Sequence, residues 1–314
     1  MKPNFFAGQY LDRRAELRTD PDWFTAARAD EATIYLLARG TAHLLTFEPE
    51  ARIAFADVKH PLVTRATEAS AVLLGWFHGA RCVLIETEGE AEDGLGAGAR
   101  FEELRPLASI LPTEDSGLLA YARALSVWRA RHRFCGSCGA RTRTRSAGHV
   151  LACSNELCGT ESFPRIDPAI IVLVTDGERA LLGRQASWPK GRYSTLAGFV
   201  EPGESLEDAV AREVYEESGV RIDEVTYQSS QPWPFPSSLM LGFFASATST
   251  ATRLVDSELE HAAWFSREDI RAGRPALPTS TSISFRLLEC WFDAGSPVPL
   301  AALPNLATWE TRRA

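Results

Sequence analysis

Long apolar runs are missing from this 314-residue chain. The most apolar stretches, such as AIIVLV at 169–174, fall far short of the roughly 20 residues a membrane-crossing helix needs. The opening MKPNFFAGQYLDRRAEL lacks the apolar core of a secretory leader, and the closing ETRRA matches no lipidation or retention signal. These absences lead us to expect a cytoplasmic protein with no membrane partner. A basic excess is absent too: the formal net charge is −8, which argues against broad non-specific nucleic-acid binding but allows a local basic patch. No long low-complexity tract and no repeat in the sequence is evident. With 45% apolar and 24% charged residues the composition is that of a globular protein long enough for two cores.

Cysteine is scarce and unevenly spent. Of six, Cys82 and Cys290 stand alone and read as small buried hydrophobes, while Cys135, Cys138, Cys153 and Cys158 crowd into 24 positions. Two knuckles at this separation suit tetrahedral zinc held by four thiolates, a closed and therefore structural site. Two disulfides are the rival, disfavoured in a reducing compartment. His132 adjoins the cluster as a further candidate ligand, though a histidine at a helix end more often lies at the surface. Six arginines (129, 131, 133, 141, 143, 145) surround the first knuckle with no acid among 129–145. They read as a solvated hairpin, or more sharply as a phosphate-contacting patch.

Short alternating runs over 31–88 predict strands, and GEAEDGLGAG (89–98) a loop. Helical spacing begins at Ser116 and leads into the cysteines near His132. Beyond them PRIDPAIIVLV predicts a buried strand, TDGE a turn and RALLGRQ its hairpin partner. STLAGFV (194–200) is a further strand. Strands are predicted over 222–229, 239–248 and 259–266, and a terminal helix over SISFRLLECWF.

Between them lies REVYEESGV (212–220). Ser205 and Asp208 form a capping box at the start of this helix, and Gly219 follows its last turn. Glu213, Glu216 and Glu217 fall within a sector of roughly 100° bordered by Val210 and Val214. Most glutamate-rich helices simply present a solvated face. Partly buried carboxylates instead repel one another and resist ionisation, unless a hard divalent cation such as Mg²⁺ or Mn²⁺ joins them.

The surroundings favour metal. Gly198, five residues, Glu204, seven residues, then Arg212-Glu213-Val214-x-Glu216-Glu217-x-Gly219-Val220 fill every fixed position of the Nudix box, GX5EX7REUXEEXGU. The chain strongly resembles the Nudix hydrolases. That resemblance implies a Nudix α/β/α sandwich with a mixed sheet, preceded by a four-cysteine zinc ribbon and a β-rich N-terminal domain. The expected boundaries are 1–130, 131–163 and 164–314. It implies Glu213, Glu216 and Glu217 as metal ligands, the Ala197 carbonyl joining them, and Glu204 with Arg212 as a structural ion pair.

SQPWPFPSSLM (230–240) follows the box, and its three prolines stiffen a loop bearing Trp233 and Phe235. Taken alone it reads as a rigid loop or a polyproline ligand. Placed after the box and beside the ribbon, it resembles the NADH pyrophosphatase subfamily, as do FPRIDPAII and SISFRLLECW, over residues 100–291. The resemblance implies that Gln231, Pro232, Trp233, Pro234, Phe235, Pro236, Ser237 and Ser238 wrap a dinucleotide. It implies that Phe163 and Phe199 stack on its rings and that Glu258 is a further metal ligand. Ser284 stands where alanine is common in the pocket, and Arg105 is a further substrate contact. The second knuckle departs from the pattern, with four intervening residues where two are common.

The expected activity is metal-dependent hydrolysis of the pyrophosphate of NAD(H) to NMN(H) and AMP, with Glu217 handling the water. Removal of the NAD cap from RNA is the alternative substrate, and a non-catalytic zinc-ribbon adaptor the rival class. A homodimer is expected from the resemblance.

Overall fold

The computed structural model describes residues 3–89, 95–96, 98–255 and 258–309. Most of the loop expected over 89–98 and the closing ETRRA lie outside the described residues. Two compact units emerge. The C-terminal unit holds Asp167–Pro232, the chain from Ser238 onward and the N-terminal residues through Phe5; the N-terminal unit holds Phe6–Ile166 with Trp233–Ser237. The break before Asp167 lies close to the expected boundary at 164, and the ribbon residues cluster with the N-terminal sheet.

The AIIVLV run lies in the strand Asp167–Thr175, inside a six-stranded mixed sheet. It pairs parallel with Ser238–Ala247 and antiparallel with Arg179–Arg184 and Leu196–Phe199; Ile222–Trp233 and His261–Ser266 complete the sheet. Its two faces explain why it is wholly apolar. Ile170, Val172 and Val174 pack with Ala209, Val210 and Val214 of the glutamate helix, Leu206–Ser218. Ile171 and Leu173 pack with Ile283, Leu287 and Leu288 of the terminal helix, Ile283–Ala294. Alternate side chains of a strand point to opposite faces, so the sheet lies between helices and the unit is an α/β/α sandwich. Each such fully buried aliphatic chain contributes about 1.5–3 kcal/mol. The glutamate helix is therefore held by its apolar face and leaves the opposite edge for charge.

That helix starts and stops on local signals. Asp208 N–H donates to Ser205 Oγ at 3.1 Å while Ser205 N–H donates to Asp208 Oδ2 at 3.3 Å, and Gly219 ends the helix at φ 70°.

The N-terminal unit carries a seven-stranded sheet in the order Leu11–Asp12, Ala71–Phe77, Ala80–Glu86, Ile34–Arg39, Ala42–Thr46, Arg52–Ile53, with Arg100–Glu103 beside Ala42–Thr46. The connecting helix Thr113–Arg131 starts three residues before the expected Ser116 and leads to a three-stranded ribbon, Thr142–Arg145, Val150–Cys153 and Glu161–Ser162. Two short helices, Trp23–Ala29 and Arg267–Arg271, have no counterpart in the sequence reading. Segments this short carry too few turns for a helical period to show.

The two sheets share a plan that the sequence does not betray. In each, a first strand (Ile34–Arg39 or Asp167–Thr175) pairs antiparallel with the next (Ala42–Thr46 or Arg179–Arg184). On its other side it pairs parallel with the second strand of a later hairpin (Ala80–Glu86 or Ser238–Ala247). The expectation of no internal repeat thus holds for residues but not for topology. Where the C-terminal unit carries the 13-residue glutamate helix, the N-terminal unit has the four-residue Pro61–Thr64.

Candidate active site

Arg212 sits among the carboxylates. Its Nε and Nη2 donate to Glu204 at 2.5 and 2.9 Å, and its Nη1 donates to Glu213 Oε1 and Glu216 Oε2, both at 2.9 Å. Nη2 also donates to the Phe199 carbonyl at 2.9 Å, tying the helix to the strand that carries Gly198. A planar guanidinium with five donors is suited to such bridging. The hydrogen bonds from Arg212, helped by the Glu201 amide, hold the Glu204 carboxyl down to about 2.

Gly198 explains the close approach of helix and strand. A Cβ at this position would lie 1.9 Å from both the carboxyl carbon and Oε1 of Glu213. Glu213 and Glu217 are only 8% and 3% exposed, whereas Glu216 sits at the rim. Burial pushes the Glu213 carboxyl up, Arg212 opposes this, and the charges of Glu216 and Glu258 add to the rise. Glu258 is thereby brought within electrostatic reach of the helix, although 45 positions separate it from Glu213. Its successors are anchored: Leu259 is buried where a Cβ on Gly183 would touch it at 2.6 Å, and Glu260 pairs with the buried Arg184. Arg184 has no signature in the sequence, because the pair forms only when two strands meet. Ala197, the residue before Gly198, pairs with Ile171 in the sheet.

Arg212 bridges three of these carboxylates, and the set as a whole is rich in hard oxygen donors. That is the chemistry of a Mg²⁺ or Mn²⁺ site rather than of a thiophilic metal. Gly198, which keeps the Glu213 carboxylate in place, suits the same use.

The other expected substrate residues divide. Phe199 is 60% exposed in the C-terminal unit and Phe163 55% exposed in the N-terminal unit. Gln231 does not stand ready for a ligand. It is fully buried, its Nε2 donates to the carbonyls of Phe5 and Thr281, and its Oε1 accepts from Ile283 N–H at 2.7 Å. The side chain ties the terminal helix to the N-terminal residues, partners that its sequence context does not announce. Ser284 is likewise buried and engaged, with Thr195 N–H and Oγ1 donating to its Oγ and Ser194 Oγ at 3.0 Å. Ser238 is buried, Pro232, Trp233, Phe235 and Ser237 are half-buried, Pro234 is buried and Pro236 is exposed. Arg105 lies 5.4 Å from the Phe235 ring and 6.0 Å from that of Trp233, so it faces the loop.

The four cysteines converge. Their sulfur atoms all lie within 4.8 Å of one another, and both close pairs, Cys135–Cys158 at 3.8 Å and Cys138–Cys153 at 3.4 Å, are too long for disulfide bonds. Backbone amides of Ser137 and Cys138 draw the Cys135 thiol down to about 6, favouring the thiolate that metal requires. The longer second knuckle therefore does not prevent closure. His132 turns its Nδ1 to the Trp128 carbonyl at 2.7 Å and is not part of the cluster. Of the six arginines, Arg129 is not on the surface: it is 7% exposed and pairs with Glu86 at 2.8 Å. Arg131, Arg133, Arg141, Arg143 and Arg145 are exposed, Arg145 near Glu161 at 3.4 Å.

Comparison with known proteins agrees with this construction. Residues 165–285 match the NUDIX domain family, and residues 32–128 match the NADH pyrophosphatase-like rudimentary NUDIX domain, in keeping with the shared sheet plan. The chain is 42% identical to the NAD-capped RNA hydrolase NudC of Stutzerimonas stutzeri, over 74% of this chain and 81% of that one. It is 40% identical to NudC of Mycobacterium bovis over 89% and 92%, and 35% identical to the NAD-capped RNA hydrolase NUDT12 of Macaca fascicularis over 92% and 73%. The fold and site define a hydrolase, and the chain belongs to the Nudix hydrolase family, with an NADH pyrophosphatase-like domain before its NUDIX domain. Nudix hydrolases depend on divalent metal, and the donor set described above fits that need. Among the described residues no helix is long and apolar enough to cross a membrane.

Proposed function

We propose that the chain hydrolyses the central pyrophosphate of NAD(H), releasing NMN(H) and AMP. The observation that carries this is the pair of buried carboxylates Glu213 and Glu217 on one helix, with Arg212 bridging Glu213 to Glu216, Glu258 within electrostatic reach of Glu213, and Glu213 against a glycine that cannot be larger. The names of the relatives, which act on an NAD cap, support the substrate class. Glu213, Glu216, Glu217 and Glu258, with the Ala197 carbonyl, would hold Mg²⁺ or Mn²⁺. When bound, such cations neutralise the pyrophosphate and acidify the attacking water.

The remaining work falls to the protein. Glu217 takes the proton of the water as it attacks one phosphorus in line, and the second phosphate departs as AMP or NMN(H). Glu213 and Glu216 keep the set anionic, while Glu204 and Arg212 fix the helix against its strand. The exposed ring of Phe199 offers a stacking face for a base or nicotinamide, and that of Phe163 offers another. The loop Pro232, Trp233, Pro234, Phe235, Pro236, Ser237 and Ser238 shapes the dinucleotide site, with Arg105 acting through the loop. Glu217→Gln should fold normally and lose turnover by orders of magnitude when AMP release from NADH is followed with Mn²⁺. Turnover near that of the wild type would overturn the assignment.

A second reading keeps the chemistry and enlarges the substrate to NAD-capped RNA. The exposed Arg131, Arg133, Arg141 and Arg143 favour it, with the open Phe134 ring 5.4 Å from the Arg141 guanidinium as a stacking platform. Decapping that falls steeply with salt, while NADH hydrolysis does not, would mark a backbone contact. For the cysteine cluster we propose one structural Zn²⁺, checked by metal content per chain. The working form is read as a cytoplasmic homodimer, for which light scattering gives the test of assembly.

A further inference from the structure

The loop after the box is held in an unusual way. Pro232, Pro234 and Pro236 remove alternate backbone donors, so past the strand end at Trp233 this stretch offers carbonyls but few N–H groups for sheet pairing. Trp233–Ser237 clusters with the compact N-terminal unit, although Trp233 also ends the strand Ile222–Trp233. Within that unit it meets a prepared seat. Phe6, 2% exposed and held at φ 66°, a conformation bulky residues avoid, meets Trp233 and Phe235 edge-on at centroid distances of 6.3 and 6.0 Å. Trp233 and Phe235 meet each other at 5.2 Å.

Arg123 completes the seat. It projects from the connecting helix Thr113–Arg131, its Nη1 donates to the Pro234 carbonyl, and its guanidinium lies 5.1 Å from the Phe235 ring centre. Its side chain is 13% exposed, and Glu103 Oε2 lies 3.8 Å from its Nε. A cation withdrawn this far from water is costly unless carbonyl, carboxylate and ring face replace the solvent together. The neighbouring His43, buried and neutral, offers no charge in exchange. Arg105, exposed, faces the same Phe235 ring. Phe235 is therefore flanked by two guanidinium groups within its own unit, and its ring serves as an anchor.

We infer that Arg123 is a positioning residue for the substrate loop: through the Pro234 carbonyl and the Phe235 face it fixes the shape in which residues 232–238 receive the dinucleotide. This rests on the reading of that loop as part of the NAD(H) site. Arg123 touches no reacting atom, so its effect belongs to binding rather than to the bond-breaking step.

The test uses the whole 314-residue chain carrying Arg123→Met or Arg123→Lys. Loss of a charge-assisted hydrogen bond should raise KM for NADH by about tenfold, with kcat within about twofold. The lysine variant should show a smaller rise. Hydrogen exchange at the amides of Trp233, Phe235 and Ser237 should speed up in the methionine variant, while the glutamate helix keeps its protection. A purely structural role would instead lower the unfolding midpoint and leave KM and loop exchange alone. If Arg123→Met does not fold, Arg123→Gln and Arg123→Lys carry the comparison: a graded rise in KM supports the anchor, and wild-type values in both overturn it. Unshifted KM and exchange in a folded variant also overturn it. A wild-type chain that leaves NADH intact removes the reading beneath the inference, whereas normal wild-type hydrolysis with unshifted variants removes only the role of Arg123.

Discussion

Gly198 and Glu213 adjoin so closely that no methyl group fits between them; a Cβ on the glycine would fall 1.9 Å from the carboxyl carbon. The contact joins the strand Leu196–Phe199 to the glutamate helix and sets where the Glu213 oxygens lie. Gly198→Ala should therefore displace Glu213 rather than unfold the chain, at a cost of about 1–3 kcal/mol from overpacking. Since ångström-scale misplacement of a reacting group costs about 10²-fold, turnover should fall by at least that much. Mn²⁺ affinity measured by electron paramagnetic resonance should fall with it. Unchanged Mn²⁺ binding in the alanine variant would show that Glu213 is not held by this contact.

His43 gives a pH-dependence that can be tested apart from catalysis. Burial, reinforced by the charge of Arg123, pushes its imidazole from 6.5 down to about 3. The unfolded chain then binds a proton between these values that the folded chain refuses. The stabilisation is complete above pH 6.5 and is lost as the pH falls toward 3, at up to about 1.4 kcal/mol per pH unit. His43→Leu should flatten this limb in urea unfolding measured at pH 7, 6 and 5. A slope equal to that of the wild type would mean that His43 protonates freely in the folded state.

What the residues disclosed, and what they withheld, follows from the range of the interactions involved. The Ser205–Asp208 cap, the Gly219 stop and the apolar AIIVLV strand are local signals, and each appears in the fold. That the glutamates share one helix and that the four cysteines converge could be read because their spacing is fixed by one helix and two knuckles. The hydrogen-bond partners of Gln231 and Ser284 stayed hidden for the opposite reason. Nothing near Gln231 in sequence announces that the carbonyls of Phe5 and Thr281 will consume its amide. The repeat of sheet plan was equally hidden, since topology is conveyed by strand pairing and not by shared residues.

Arg129 and Glu86 illustrate another long-range pair, on the connecting helix and the strand Ala80–Glu86. The arginine side chain is 8% exposed and also donates to the carbonyls of Ala69 and Gly148. Removing the acid would leave a buried cation without its counter-charge, whereas removing the arginine leaves a carboxylate still 27% exposed. Glu86→Ala should cost near the low end of about 3–5 kcal/mol in urea unfolding. Arg129→Met should cost less. The reverse order would show that the cation reaches solvent when Glu86 is absent.

Arg212 provides the sharpest test of the site, because one side chain holds Glu204, Glu213, Glu216 and the Phe199 carbonyl at once. Lysine keeps the charge but not the planar set of donors, so it cannot satisfy three carboxylates and a carbonyl from one nitrogen. Arg212→Lys should therefore resemble a deletion in activity. A loss of about 10²-fold or more in kcat/KM is expected, about 2.7 kcal/mol by the usual conversion. Glu204 should act through Arg212, so Glu204→Gln combined with Arg212→Lys should be little worse than Arg212→Lys alone. The double-mutant cycle then gives a coupling well above the few tenths of a kcal/mol seen for independent sites. Additive losses would assign Glu204 a separate task, and near-normal activity in Arg212→Lys would show that charge alone, not the planar bridge, keeps the carboxylates in place.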